Sequence, residues 1–225
     1  KTFGTIGGGQ LEFLAIAKAR ELIAENIATG ALDIPLGPEI GQCCGGRVAL
    51  DIRIAGERER ADLLRRAEAE DAARPHVYLF GGGHVGHALA AALALLPVRT
   101  VVVETRAEAL EGMPDAVETR LTAVPEEAVR SAPPGSAFVV LTHDHALDFL
   151  ITGEALARND AAYVGMIGSK TKKATFKNWY LKNGGEEARL ARLVTPIGGA
   201  DLRDKRPAVI AALTAAEVMR AVLQQ

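Results

Sequence analysis

From His76 onward, short apolar runs alternate with stretches in which apolar residues recur every three or four positions. His76–Phe80, Arg99–Val103, Ala137–Leu141 and Ala161–Ile167 have strand length and are rich in apolar residues; Val117–Leu121 is a weaker run of the same kind. Helical spacing marks Val85–Leu96, Ala146–Arg158, Thr171–Lys182 and Pro207–Leu223, with a short helix at Pro125–Arg130. Strands buried on both faces and separated by helices predict a parallel sheet covered on both sides.

The chain before His76 follows another pattern. Gly4-Thr5-Ile6-Gly7-Gly8-Gly9 is a turn feeding a helix on which Leu11, Leu14, Ala15, Ala19 and Leu22 share helical spacing. Pro35-Leu36-Gly37-Pro38 reads as a loop, Gln42-Cys43-Cys44-Gly45-Gly46 as a tight turn and Arg47–Ile54 as an alternating strand. The charged, Ala-rich stretch from Gly56 to Pro75 reads as an exposed helix or linker, stopped by the proline. The chain is therefore expected to hold a smaller N-terminal α+β domain over residues 1–72, packed at the crevice of a doubly wound α/β domain over residues 75–225.

Composition narrows the classes. The chain has 225 residues, 48% hydrophobic and 24% charged, enough to bury a full core without staples. Lys and Arg number 26 against 28 Asp and Glu, a net charge of −2, which removes the electrostatic reason to expect nucleic acid. The longest apolar run, Ala88–Leu96, stops at Pro97 and is too short to span a bilayer. Two cysteines make no disulfide framework, so a reducing cytoplasm is expected.

The clearest local motif is Gly81-Gly82-Gly83-His84-Val85-Gly86, with glycines in the G-x-G-x-x-G form between a strand and a helix. In a Rossmann-like sheet, Gly81 permits the tight turn, Gly83 lets backbone approach a pyrophosphate, and Gly86 lets helix and strand pack closely. The N–H groups opening the helix at His84 and Val85 then face an anion. Glu104 ends the next strand, 18 residues after Gly86, where a carboxylate accepts hydrogen bonds from a ribose diol. The other reading is a scaffold whose loop serves another phosphate or none.

Two histidine pairs, His84 with His87 and His143 with His145, stand at strand ends that border one crevice in such a sheet. They read either as a metal or acid–base site or as cleft-lining donors and helix caps. Asp144 is a natural N-cap within Leu141-Thr142-His143-Asp144-His145. Cys43 and Cys44 read either as two free thiols on a turn, suited to sulfur chemistry, or as small buried apolar groups. Gly168-Ser169-Lys170 closes Tyr163–Lys170 as a second anion-tolerant turn or an ordinary strand–helix junction. Thr195-Pro196-Ile197-Gly198-Gly199 is either a crevice wall or a connecting loop, and Phe176, Trp179 and Tyr180 read as helix packing.

Taken in order, these pieces resemble the XdhC/CoxI family of xanthine dehydrogenase accessory proteins. The resemblance is carried by Gly4–Gly9 with Glu12, Pro35–Pro38, Gly41–Gly46, Phe80–Gly86, Leu141–His145 with Asp148, Tyr163–Lys170 and Pro196–Gly199. The family's usual segment before Gly4, with a Ser-x-Pro-Arg-type loop, is expected to be missing from the first domain. The stretch Gly198-Gly199-Ala200-Asp201-Leu202 departs from the common Gly-Leu-Asp-x-Gly form.

What the resemblance implies is a cytoplasmic, homodimeric, non-catalytic chaperone of the molybdenum cofactor, molybdopterin. Such a protein protects the cofactor, supports its sulfuration with a cysteine desulfurase, and inserts it into the molybdenum subunit of xanthine dehydrogenase. The residues expected to bind it are Gly81, Gly83, His84, Val85, Gly86, Glu104, Thr142, His143, Asp144, His145, Gly168, Ser169, Lys170, Cys43 and Cys44. The thiols are expected to face the crevice across from the glycine loop. NAD or another nucleotide is the further candidate ligand. An NAD-dependent oxidoreductase and a metal-dependent hydrolase on His84, His87, His143 and His145 are the competing readings.

Overall fold

The computed structural model describes residues 4–7, 9–38, 45–199 and 203–224. Cys43 and Cys44 lie outside the described residues. The chain divides into two compact units, Lys1–Ala72 and Ala73–Gln225.

The first unit opens with helix α1, Gly9–Ala24. Glu12 in its first turn accepts the Thr5 hydroxyl at 2.5 Å and the Ile6 N–H at 3.3 Å, which ties the preceding glycine-rich turn to the helix. Leu11 and Leu22 form the buried side of α1. Strands β1, Thr29–Pro35, and β2, Arg47–Arg53, pair antiparallel from Thr29↔Arg53 to Pro35↔Arg47. Gly30 sits under Leu22, where a Cβ would fall 2.9 Å from both leucine methyls. Helix α2, Glu57–Ala72, buries no side chain, as its run of charges predicts. The sequence pattern did not disclose β1, whose alternation is diluted by Gly30, Asp33 and Pro35.

The second unit is a six-stranded, wholly parallel sheet. Its strands are β3 (His76–Phe80), β4 (Arg99–Glu104), β5 (Glu118–Leu121), β6 (Ala137–Val140), β7 (Tyr163–Met166) and β8 (Leu193–Val194). Their spatial order is β5-β4-β3-β6-β7-β8. Helices α3 (His84–Leu93), α4 (Glu126–Ser131), α5 (His145–Ala157), α6 (Lys170–Lys182) and α7 (Pro207–Val222) connect or cover them. This is the doubly wound Rossmann-like order, and β3 and β6 pair in parallel from Val77↔Ala137 to Phe80↔Val140.

The alternation of β3 shows how two layers are built. Tyr78 and Phe80 enter one core with Phe138, Val140, Phe149 and Phe176. Val77 and Leu79 enter the other with Leu89, Leu93, Ala211 and Val218. Successive strand residues point to opposite faces, so a continuous apolar strand feeds both cores. Phe176 stacks on Tyr180 at 5.5 Å and meets Phe149 edge-on at 5.4 Å, and Trp179 lies 5.7 Å from Phe149, as packing residues.

Candidate ligand crevice at the ends of β3 and β6

Strand order reverses between β3 and β6, and ligands of open α/β sheets lie outside the carboxyl ends of the strands at such a point. The two ends are in direct contact. The Leu141 N–H donates to the Phe80 carbonyl at 2.8 Å, and the Gly81 N–H to the Val103 carbonyl at 3.0 Å. The glycine loop and the Thr142 turn thus share one edge of the crevice.

The glycines of the loop answer to different constraints. Gly81 has φ +119°, and a Cβ there would lie 2.5 Å from the Leu141 carbonyl oxygen. A Cβ at Gly82 would lie 2.2 Å from the Ala109 carbonyl oxygen, and one at Gly86 2.1 Å from that of Gly81. Packing within the protein explains these three. Gly83 is different: a Cβ there meets nothing within 4 Å, and φ −75° is open to any residue. Gly83 is also the N-cap of α3, which receives no side-chain capping bond. The helices leaving β6 and β7 are capped by side chains. Asp144 accepts the Ala146 N–H at 2.7 Å, and Ser169 accepts the Lys172 N–H at 3.3 Å. The start of α3 therefore offers an open cradle, with backbone donors and the positive end of the helix dipole.

Glu104 stands at the end of β4, 5% exposed, and holds the loop from the side. One carboxylate oxygen accepts the Gly82 N–H at 2.9 Å. The other accepts the Thr105 N–H at 2.7 Å, the Thr105 hydroxyl at 3.1 Å and the Arg106 N–H at 3.1 Å. Burial alone raises the affinity of this carboxylate for a proton. The four donated hydrogen bonds outweigh it and hold the group below its ordinary 4.5.

On the β6 side, Thr142 gives its N–H to Asp148 at 3.0 Å, and its hydroxyl lies 2.7 Å from the same oxygen. Asp148 is fully buried, and its second oxygen is paired with Lys172. Further along, Glu217 on α7 accepts the Tyr163 hydroxyl at 2.8 Å and the Gly198 N–H at 3.0 Å. Burial and the Glu217 charge push the Tyr163 phenol far above its usual range. Each of three loops at this edge is thus pinned by a carboxylate that accepts a backbone N–H: Glu104 for Gly82, Asp148 for Thr142, Glu217 for Gly198.

The predicted residues divide accordingly. Gly81, Gly83, His84, Val85, Gly86, Glu104 and Thr142 gather around the β3 end. His84, His143 and His145 are exposed there, while His87 donates to the Ala109 carbonyl at 3.2 Å. No three His, Cys, Asp or Glu side chains among the described residues form a metal-holding group. Lys170 is exposed, and Gly168 lies under the stem of Lys172. Lys172 and Asp148 pair across 24 residues of sequence, a partnership that no local motif discloses.

Strand order and the flanking helices together define a Rossmann-like α/β domain. Comparison with known sequences narrows this. The family described as the XdhC Rossmann domain matches residues 77–218, more than half of the chain, and the chain belongs to that family. The chain is 25% identical to the uncharacterized protein YqeB of Escherichia coli (strain K12) over 226 residues, covering 96% of this chain. It spans only 38% of that relative's length. In fold it is similar to a solved structure of a xanthine dehydrogenase from Bacillus halodurans, with a TM-score of 0.78 at 15% identity. That match covers 100% of this chain and 84% of the other. Among the described residues, no helix is long and apolar enough to cross a membrane.

Proposed function

We propose that the protein is a xanthine dehydrogenase accessory protein that holds the molybdenum cofactor in the β3–β6 crevice. There it shields the cofactor, presents it for sulfuration and passes it to the molybdenum subunit of the apo-enzyme. The observation that carries this reading is Gly83. Its lack of a side chain answers no need of the protein's own packing, and the uncapped α3 terminus beside it suits a phosphate approaching the backbone. Molybdopterin carries a phosphate, and its dinucleotide forms carry a pyrophosphate.

In this account the chain works by holding its cargo rather than by turnover. Gly83, His84 and Val85 receive the phosphate, and Gly81 and Gly86 give the turn its shape. Glu104 fixes Gly82 and keeps lone-pair capacity for a ribose hydroxyl. Thr142, His143 and His145 line the facing edge, with Asp144 and Ser169 capping the helices behind it, and Gly168 and Lys170 border the crevice at the β7 end. Cys43 and Cys44 are assigned the sulfur-bearing end. A cysteine desulfurase and a second copy of the chain are the further partners of this reading, and the cytoplasm its compartment.

The test is transfer. Protein purified from cells that make the cofactor, mixed with apo-xanthine dehydrogenase, restores activity in proportion to the protein added. Failure to activate while free cofactor succeeds contradicts the reading. The placement of Glu104 beside Gly82 favours a second reading, an NAD-dependent oxidoreductase. Consumption of NADH with a small carbonyl substrate would establish that one instead.

A further inference from the structure

We propose that Lys172 is a second anion-holding group of the crevice, kept in place by Asp148. It takes an anionic substituent on the half of the ligand that lies beyond the pyrophosphate. The inference rests on the glycine-loop reading above and extends it to the ligand's other half.

The Lys172 side chain is 8% exposed and that of Asp148 0%, so both charges are withdrawn from water. The stem of Lys172 lies across the turn after β7, where a Cβ at Gly168 would fall 2.8 Å from its Cδ. Glycine at 168 is thus what admits the lysine. Asp148 turns one oxygen to Lys172 and the other to Thr142, whose N atom lies 3.0 Å from where a Gly81 Cβ would be. Gly81, Thr142, Asp148 and Lys172 form one continuous chain of contacts along the carboxyl ends of β3, β6 and β7.

Folding alone gives little reason for such a pair. Desolvating two ions costs several kcal/mol each, and apolar side chains of similar volume commonly serve stability as well or better. The pair stands at the carboxyl ends of the strands, where open α/β sheets take their ligands. An ammonium has three N–H donors, and Asp148 engages one of them, which leaves donors for a ligand. Topology says which part of the ligand. With a pyrophosphate at the β3 loop, one half lies over β4 and β5 and the other over β6 and β7. Lys172 belongs to the second half.

The test compares three probes on the full chain: ADP, NAD and nicotinic acid adenine dinucleotide. The last differs from NAD by a carboxylate in place of the carboxamide on the second half. The wild-type protein is expected to hold the carboxylate form about tenfold tighter than NAD, the scale of one charge-assisted hydrogen bond. The double variant Asp148→Asn, Lys172→Met removes both charges while Asn retains an acceptor for the Thr142 N–H. It is expected to lose the preference and to bind ADP as the wild type does. Should it fail to fold, Lys172→Gln takes its place in the same comparison. A wild-type protein without the preference, or a variant that keeps it, overturns the role of Lys172. A wild-type protein that does not bind ADP overturns the glycine-loop reading itself, and this inference with it.

Discussion

The Gly82 N–H donates to the Glu104 carboxylate at 2.9 Å across 22 residues of sequence. The middle glycine of the loop, which the motif leaves unspecified, is thereby fixed to the end of the neighbouring strand. Gly82 has no room for a side chain on its other side, where Ala109 closes in. The loop is held at Gly82 and open at Gly83.

Glu104 makes the stability of the domain sensitive to acid. Its folded value lies below 4.5, so the stabilisation is present above the unfolded value and is lost as pH falls through the folded one. Glu104→Gln leaves at least one buried N–H without an acceptor, at a cost of about 1–3 kcal/mol at neutral pH. Denaturant unfolding at neutral pH and in acid below the folded titration of Glu104 checks this. The difference between the two proteins shrinks on acidification; an equal difference at both values contradicts the assignment.

The four loop positions separate by what each Cβ would strike. Gly82→Ala and Gly86→Ala drive a methyl into a backbone carbonyl, and Gly81→Ala adds an unfavourable φ. Each is expected to lower stability by more than about 2 kcal/mol. Gly83→Ala costs about 1 kcal/mol or less, the N-cap preference for glycine over alanine, yet weakens binding of a phosphate-bearing ligand at least tenfold. Thermal unfolding and titration of the same samples read both effects. Equal destabilisation at all four positions would remove the distinction on which the site is built.

Much of the second unit was legible because β3, β4, β6 and β7 are short runs of buried, mostly apolar residues. His76–Phe80 and Ala137–Val140 stand out for that reason. Spacing did not reveal which lysine matters. Lys170 and Lys172 share one turn of α6, and only the packing of Gly168 and the position of Asp148 tell the exposed one from the buried one. Glu104 was visible as an acidic strand end, but its grip on Gly82, Thr105 and Arg106 depends on the fold of two loops. The β1 strand went unread because its apolar positions are few and only Ile34 is buried.

Cys43 and Cys44 lie outside the described residues, so their role rests on the sequence and is tested by function. The double variant Cys43→Ala, Cys44→Ala is expected to retain bound cofactor and to lose at least about tenfold in activation of apo-xanthine dehydrogenase, the loss of a thiolate contact. Activation at the wild-type rate removes the thiols from the chemistry.

The crevice at Gly83 is proposed to hold the molybdenum cofactor, and the cofactor itself reports on this. Wild-type protein and Gly83→Val are purified from cells that make the cofactor, shown to be folded by cooperative unfolding, oxidised, and read for pterin fluorescence. A pterin signal stoichiometric with the wild-type chain is expected, and none above background in the folded Gly83→Val protein. Equal signals in the two proteins, or none in the wild type, would contradict it.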